Sequence, residues 1–248
     1  MKLKFSERII AIENKNGKII YTGCVERDAA HQSGIRHLTV IIVPFLCDGA
    51  NQGKWIVHNR RDKQLAKGLN TPEFSYNLFG GHCNPPENKN DLIGKEISEE
   101  LLLDSAMREM GEEFYLKSES GVALEIFNTK KAVFAKPYFL SRDSLIPLGR
   151  ADYDDGRDAE YSFYYALPVP SADAENVIAA DDYIRADDSK GNIALPISFK
   201  SEQELYELYC QNNSNIEICN AVSRLWEPQN NTLLSKIRLI TGHFHQPL

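Results

Sequence analysis

Glu100-Leu101-Leu102-Leu103-Asp104-Ser105-Ala106-Met107-Arg108-Glu109-Met110-Gly111-Glu112-Glu113-Phe114-Tyr115-Leu116 is the stretch of this 248-residue chain from which its architecture is read. Leu101, Leu102, Ser105, Met107 and Met110 recur among carboxylates at helical rather than alternating spacing, and Ser98 stands where an N-cap belongs. The pattern predicts a helix from Ser98 to Leu116. On it, Glu109 lies three and four residues before Glu112 and Glu113, which brings three carboxylates to one side. Converged carboxylates repel unless neutralised. Arg108 reaches Glu112 at a spacing of four, but one guanidinium does not balance three acids, and oxygen ligands at this density suit Mg²⁺ or Mn²⁺. A generic run of acids reads as a solvated helix face. The longer spacing Glu-x7-Arg-Glu-apolar-x-Glu-Glu is more specific: with each charged type at roughly 6% usage, chance gives about one in a million per register.

Working outward, Ile9 to Ala11 and Lys18 to Cys24 flank Asn14-Lys15-Asn16-Gly17 and predict an opening hairpin. His37 to Cys47 is a continuous apolar run, Trp55 to Arg60 a second strand, and the turn chemistry of Asp48 to Gly53 predicts that the two pair. Lys131 to Leu140 and Tyr161 to Val169 read as strands. Ser201 with Glu204 is a capping-box signature, and Ile216 to Trp226 reads as a further helix. Strands interrupted by one strong helix and followed by helices predict an α/β sandwich with a mixed sheet and a C-terminal helical extension. The acidic loops 152–158 and 181–188 read as solvated surface, since Asp152, Asp154, Asp155 and Gly156 do not fit a calcium-loop spacing.

Apolar residues at 42% and charged residues at 25% are ordinary globular usage, which excludes a disordered or fibrous chain. A net charge of −7 argues against a phosphate-backbone footprint, so no nucleic acid is expected as a partner. The longest apolar stretch, Leu38 to Cys47, falls short of the roughly 20 residues of a spanning helix, and no membrane association is expected. Residues Met1 to Arg8 return to charge before a signal-type apolar region develops, so the expected compartment is the cytoplasm. Cys24, Cys47, Cys83, Cys210 and Cys219 are widely spaced without a Cys-x-x-Cys pair and read as reduced thiols.

From Gly94 through Glu100, Arg108, Glu109, Met110, Glu112, Glu113 and Leu116 the chain resembles the box of the Nudix hydrolase family, Gly-x5-Glu-x7-Arg-Glu-apolar-x-Glu-Glu-x-Gly-apolar, departing only at Tyr115, where the family prefers Gly. A second glycine competes for the first box position. Gly80-Gly81-His82 follows the strand-like Tyr76 to Phe79, as the family's Gly-Gly does; we take Gly81 as the counterpart and 83–97 as an insertion. The likeness extends over residues 7 to 170 to the subset resembling isopentenyl-diphosphate isomerase, through Arg27 to His37, His58 to Lys63 and Gly80-Gly81-His82. Those isomerases carry a reactive Cys just before the Gly-His pair, where this chain has Gly80, and they lack the full box that is intact here. The resemblance therefore implies hydrolysis over isomerisation, with Cys83 the residue that keeps an isomerase reading open.

The resemblance implies a Nudix-type α/β/α sandwich over 1–200, with its box at about 80–116, and a helical extension over 201–248. It implies a metal-dependent pyrophosphohydrolase acting on a nucleoside diphosphate linked to another moiety, or on a related organic diphosphate. Mg²⁺ or Mn²⁺ would be held by Glu109, Glu112, Glu113 and the Gly81 carbonyl, with Arg108 orienting the carboxylates and Glu100 supporting Arg108. A carboxylate from outside the box is commonly added as ligand or base; Glu160 takes that role here, with Asp158 the weaker candidate, and Glu112 and Glu113 are the other acids expected at the chemistry. Arg60, Arg61, Lys63 and Lys67 are candidate phosphate contacts, because Arg binds phosphate through two parallel hydrogen bonds. His31, His37 and His82 have no ligand spacing between them and read as structural or substrate-orienting; His243 and His245 read as surface. The competing class is a non-catalytic nucleotide sensor, and the tail leaves a homodimer open.

Overall fold

Asn16 and Gly17 both take positive φ (55° and 85°), the conformation a tight hairpin turn requires, and close β1 (Arg8–Lys15) onto β2 (Lys18–Glu26) as expected. The computed structural model describes residues 7–59, 74–87, 89–126, 131–184, 190–211 and 216–243. After the hairpin come helix α1 (Arg27–Ser33) and strands β3 (His37–Leu46), β4 (Trp55–Asn59), β5 (Phe74–Asn77) and β6 (Phe79–His82). Helix α2 (Glu99–Glu113) leads into β7 (Phe114–Ile126), β8 (Ala132–Pro137), β9 (Ile146–Asp154) and β10 (Ala159–Val169). A one-turn helix α3 (Ser171–Ala174), strands β11 (Val177–Ile184), β12 (Lys190–Leu195) and β13 (Ile197–Lys200), helix α4 (Glu202–Cys210), strand β14 (Ile216–Ile218), and helices α5 (Asn220–Ser223) and α6 (Asn231–His243) follow.

The fold is mixed α/β with two sheets and, among the described residues, six α-helices. β3 is the hub of the larger sheet. It pairs in parallel with β10 over its whole length, and antiparallel with β6, β4 and β1. Its largely apolar sequence, broken by His37 and Thr39, fits burial on both faces. Leu38, Val40 and Ile42 point into one core with Leu102, Ala106 and Met110 of α2, whereas Ile41, Val43 and Phe45 point into a second core with Val222, Leu225, Leu233 and Ile237 of the C-terminal region. The sheet therefore has α2 on one face and the C-terminal helices on the other. The smaller sheet, β11-β12-β7-β8, contributes Phe114, Val177, Ala179 and Ile193 to the first core.

Three expectations require correction. Of the acidic segments read as solvated loops, Asp152 to Asp154 lie in β9, and Asp181 lies buried in β11. The predicted helix to Leu116 ends at Glu113, because Phe114 and Tyr115 are taken into β7, with Phe114 fully buried. The predicted helix over Ile216 to Trp226 is instead strand β14, paired in parallel with β5, then the single turn α5 and a 3₁₀ turn at Arg224–Trp226. The Ser201 capping box forms as read: Ser201 Oγ accepts from the Glu204 amide at 3.1 Å, and a Glu204 carboxylate oxygen accepts from the Ser201 amide at 2.7 Å. No helix among the described residues is long and apolar enough to cross a membrane.

Candidate functional site

Ser98 caps α2 by accepting from the Leu101 amide at 3.2 Å, and Leu102, Ala106 and Met110 seat the helix on β3 and β6. That docking brings Arg108, Glu109 and Glu113 against the Gly80-Gly81-His82 end of β6. The Gly80 N–H donates to Glu113 Oε2 at 3.0 Å. Arg108 donates through Nη2 to the His82 carbonyl at 2.8 Å and to Glu109 Oε1 at 2.5 Å, and through Nη1 to both Glu112 oxygens at 3.1 and 3.2 Å.

The three acids read as lying on one side of the helix each find a partner at the glycine turn or on Arg108. The Arg108 guanidinium bridges Glu109 and Glu112, the Gly80 amide engages Glu113, and Glu112 has a side chain 58% exposed. Glu100 is not paired with Arg108; it is 3.7 Å from Arg142, which also pairs with Asp104. Between α2 and the 84–92 loop lies an open groove of about 410 Å³, lined by Arg108, Glu100, Asp104, Ser105, Pro86 and Leu92.

Gly81 and Gly94, the two contenders for the first box position, have different surroundings. A Cβ on Gly81 would stand 2.7 Å from Glu109 Oε2, whereas one on Gly94 would meet nothing within 4 Å. Gly94 instead donates its amide to the Tyr21 carbonyl at the edge of β2. Gly81→Ala is accordingly expected to lower stability by about 1–3 kcal/mol through overpacking against a carboxylate that Arg108 holds in place, and to cut activity with it. Gly94→Ala, at φ 81°, is expected to cost about 1–2 kcal/mol of backbone strain and leave activity unchanged. Thermal unfolding and turnover of the two proteins check the contrast.

Glu109 is only 7% exposed, and its carboxyl is pushed up to about 7, first by burial and then by Glu112, against the pull of Arg108. The folded state thus holds this proton more tightly than the unfolded chain, whose carboxyl keeps the ordinary value near 4.5. The contribution is complete below about pH 4.5 and is lost as pH rises through about 7, on the order of 3 kcal/mol in all. Metal-free protein should lose melting temperature between pH 5 and pH 8 through this group, and Glu109→Gln should flatten that part of the profile.

The other chemically dense place lies on the opposite face of the sheet. His37 opens β3, His82 ends β6 and Glu160 is the second residue of β10. The registers Glu160↔His37 and Thr39↔His82, with side chains alternating along each strand, put all three on one face at one end of neighbouring strands. His31 is added by α1, which stops at Gly34 in the left-handed conformation (φ 61°). There the chain packs so closely on Gly156 that a Cβ would lie 3.0 Å from its carbonyl oxygen. One ligand atom from each of His31, His37, His82 and Glu160 lies within 4.8 Å of the others, and this His/Glu cluster can hold a metal ion.

His37, fully buried, places Nδ1 3.0 Å from the Ile35 carbonyl, so that nitrogen donates and Nε2 is the ring atom turned toward Glu160. Nε2 has no hydrogen-bond partner among the described residues and lies 3.7 Å from Glu160 Oε1. His31 Nδ1 is 2.9 Å from Asp158 Oδ1, and its Nε2 is 3.1 Å from His82 Nε2. Burial, with Arg27 and His37 nearby, lowers the His82 pKa to about 3 and keeps the ring neutral. Burial would raise Glu160, but His37 and Arg224 outweigh it and hold the carboxyl well below its usual range.

Glu160 is thus placed with three histidines and Arg224 rather than with the acids of α2, and Asp158 lies beside His31. The histidines read in the sequence as structural or substrate-orienting form, with Glu160, a group among the described residues that could hold a metal ion; no local spacing could have shown it, since strand pairing assembles them. Arg60, Arg61, Lys63 and Lys67 lie outside the described residues, as do His245 and the side chain of His243. Cys83 is fully buried and its thiol is pushed up to about 12 by burial, away from the thiolate a nucleophile requires. In comparisons with known proteins, no family model and no curated protein matches the chain.

Proposed function

We propose that this chain is a metal-dependent hydrolase of the Nudix type, cleaving the diphosphate linkage of a nucleoside diphosphate joined to another moiety, or of a related organic diphosphate. The observation that carries the reading is the fit of the box helix to the glycine turn: Glu113 on the Gly80 amide, Arg108 on the His82 carbonyl, and Glu109 in the space a Gly81 side chain would fill. Helices on both faces of the larger sheet are consistent with an α/β/α sandwich.

Two donor sets with different chemistry lie on either side of β6. Imidazole nitrogens and one carboxylate favour Mn²⁺ or a later divalent ion, while the exposed Glu112 beside Glu113 offers oxygen ligands suited to Mg²⁺. A divalent ion, when bound, polarises phosphoryl oxygens and lowers the pKa of a water. Arg108 holds Glu109 and Glu112 in place, and the groove beside it takes the group attached to the diphosphate.

Against an isomerase, the residue in the position of the isomerase thiol is Gly80, at φ 127°, where any Cβ would lie 2.1 Å from the Val40 carbonyl oxygen. The β3 backbone therefore leaves no room for a side chain there. The test is incubation with nucleoside diphosphate sugars, dinucleotides, coenzyme A and simple organic diphosphates in Mn²⁺ or Mg²⁺. Cleavage that stops on chelation is expected; saturable, metal-independent nucleotide binding without turnover would favour the sensor.

A further inference from the structure

Arg224 belongs to no motif in the sequence, yet it is one of the few buried charges, 2% exposed. The C-terminal region carries it to the sheet: Val222 and Leu225 beside it are fully buried in the second core, and Asn230 Nδ2 donates to its carbonyl at 2.8 Å. The guanidinium lies over the Tyr153 ring, 3.9 Å from its centroid. Nη1 bonds Glu160 Oε2 and reaches Ser162 Oγ at 3.4 Å, while Nε has no hydrogen-bond partner among the described residues. Burying a charge with an unsatisfied N–H is costly, and packing alone would be met as well by an apolar side chain. Glu160 has one oxygen taken by Arg224 and its other, Oε1, facing His37 Nε2.

We infer that Arg224 is a positioning residue for the histidine cluster: by occupying Glu160 Oε2 it makes Glu160 a one-oxygen ligand aimed at the point where the imidazole nitrogens meet. The C-terminal region thereby completes a site whose ligands all come from the first two thirds of the chain. This inference rests on the metal reading of the cluster.

The test is the Mn²⁺ dissociation constant and stoichiometry of the full chain, read from free Mn²⁺ by electron paramagnetic resonance. The proteins are wild type, Arg224→Gln, Glu160→Gln and the double variant. Loss of a group that orients a ligand typically weakens metal binding by about 10- to 100-fold, which is the change expected for Arg224→Gln. In the Glu160→Gln background the same substitution should change nothing further. Wild-type affinity in Arg224→Gln, or an equal loss in both backgrounds, would overturn the inference. If circular dichroism shows Arg224→Gln unfolded, Arg224→Lys decides. An ammonium does not bond Glu160 and Ser162 while stacking flat on Tyr153, so weakened binding is expected and wild-type binding contradicts the role. A wild-type protein that takes up no Mn²⁺, indistinguishable from His37→Ala, would remove the metal reading itself rather than the part assigned to Arg224.

Discussion

His37→Ala is expected to raise the Mn²⁺ dissociation constant by about 100-fold or more, equivalent to ~2.7 kcal/mol of binding free energy. The expectation follows from three features of one side chain. His37 is fully buried, its Nδ1 is committed to the Ile35 carbonyl, and its Nε2 lies in the cluster without a hydrogen bond. A buried polar atom with no partner is costly unless something supplies one, and a cation shared with His31, His82 and Glu160 would do so. Removing the ring also leaves a cavity, so the variant should melt below wild type even without metal. The decisive comparison is the shift in melting temperature on adding Mn²⁺: large for wild type, absent for His37→Ala. Equal shifts would show that the ion binds elsewhere.

Glu112→Gln combined with Glu113→Gln is expected to reduce kcat/KM by about 1000-fold, roughly 4 kcal/mol of transition-state stabilisation, in a protein that still folds. Folding should survive because Gln keeps an oxygen to accept from the Gly80 amide, and Glu112 is exposed, contributing little beyond its pairing with Arg108. What the substitutions remove is negative charge beside the glycine turn, which a divalent ion and the proton of an attacking water require. Circular dichroism and melting temperature near wild type, together with the lost rate, are the expected pair of results. An unchanged rate would place the chemistry away from the box helix.

The elements legible in the sequence were those written in local chemistry. Ser98 and the apolar spacing behind it announced α2, Asn16-Gly17 the first hairpin, and Ser201 with Glu204 the start of α4, each through bonds or dihedral preferences reaching four residues or fewer. The apolar run of His37 to Cys47 announced a strand paired with the next, and β3 is that strand, buried on both faces. Ile216 to Trp226 misled because Ile216 and Ile218 alternate with the period of a strand, and a parallel partner in β5 settles their conformation. The histidine cluster was illegible for a related reason. Its members come from α1, β3, β6 and β10, and only the registers of β3 with β6 and β10 put them on one face. The acidic run of α2, by contrast, could be read residue by residue, although its partners, the Gly80 amide and the bridging Arg108, come into view only in the fold.

The most direct measurement is turnover of a cleaved diphosphate in H₂¹⁸O with Mn²⁺ or Mg²⁺, resolving the products by mass. Hydrolysis predicts two smaller products, one phosphoryl product carrying a single ¹⁸O, and no label when the metal is chelated. A product of unchanged mass without label, or bound and uncleaved ligand, would contradict the account.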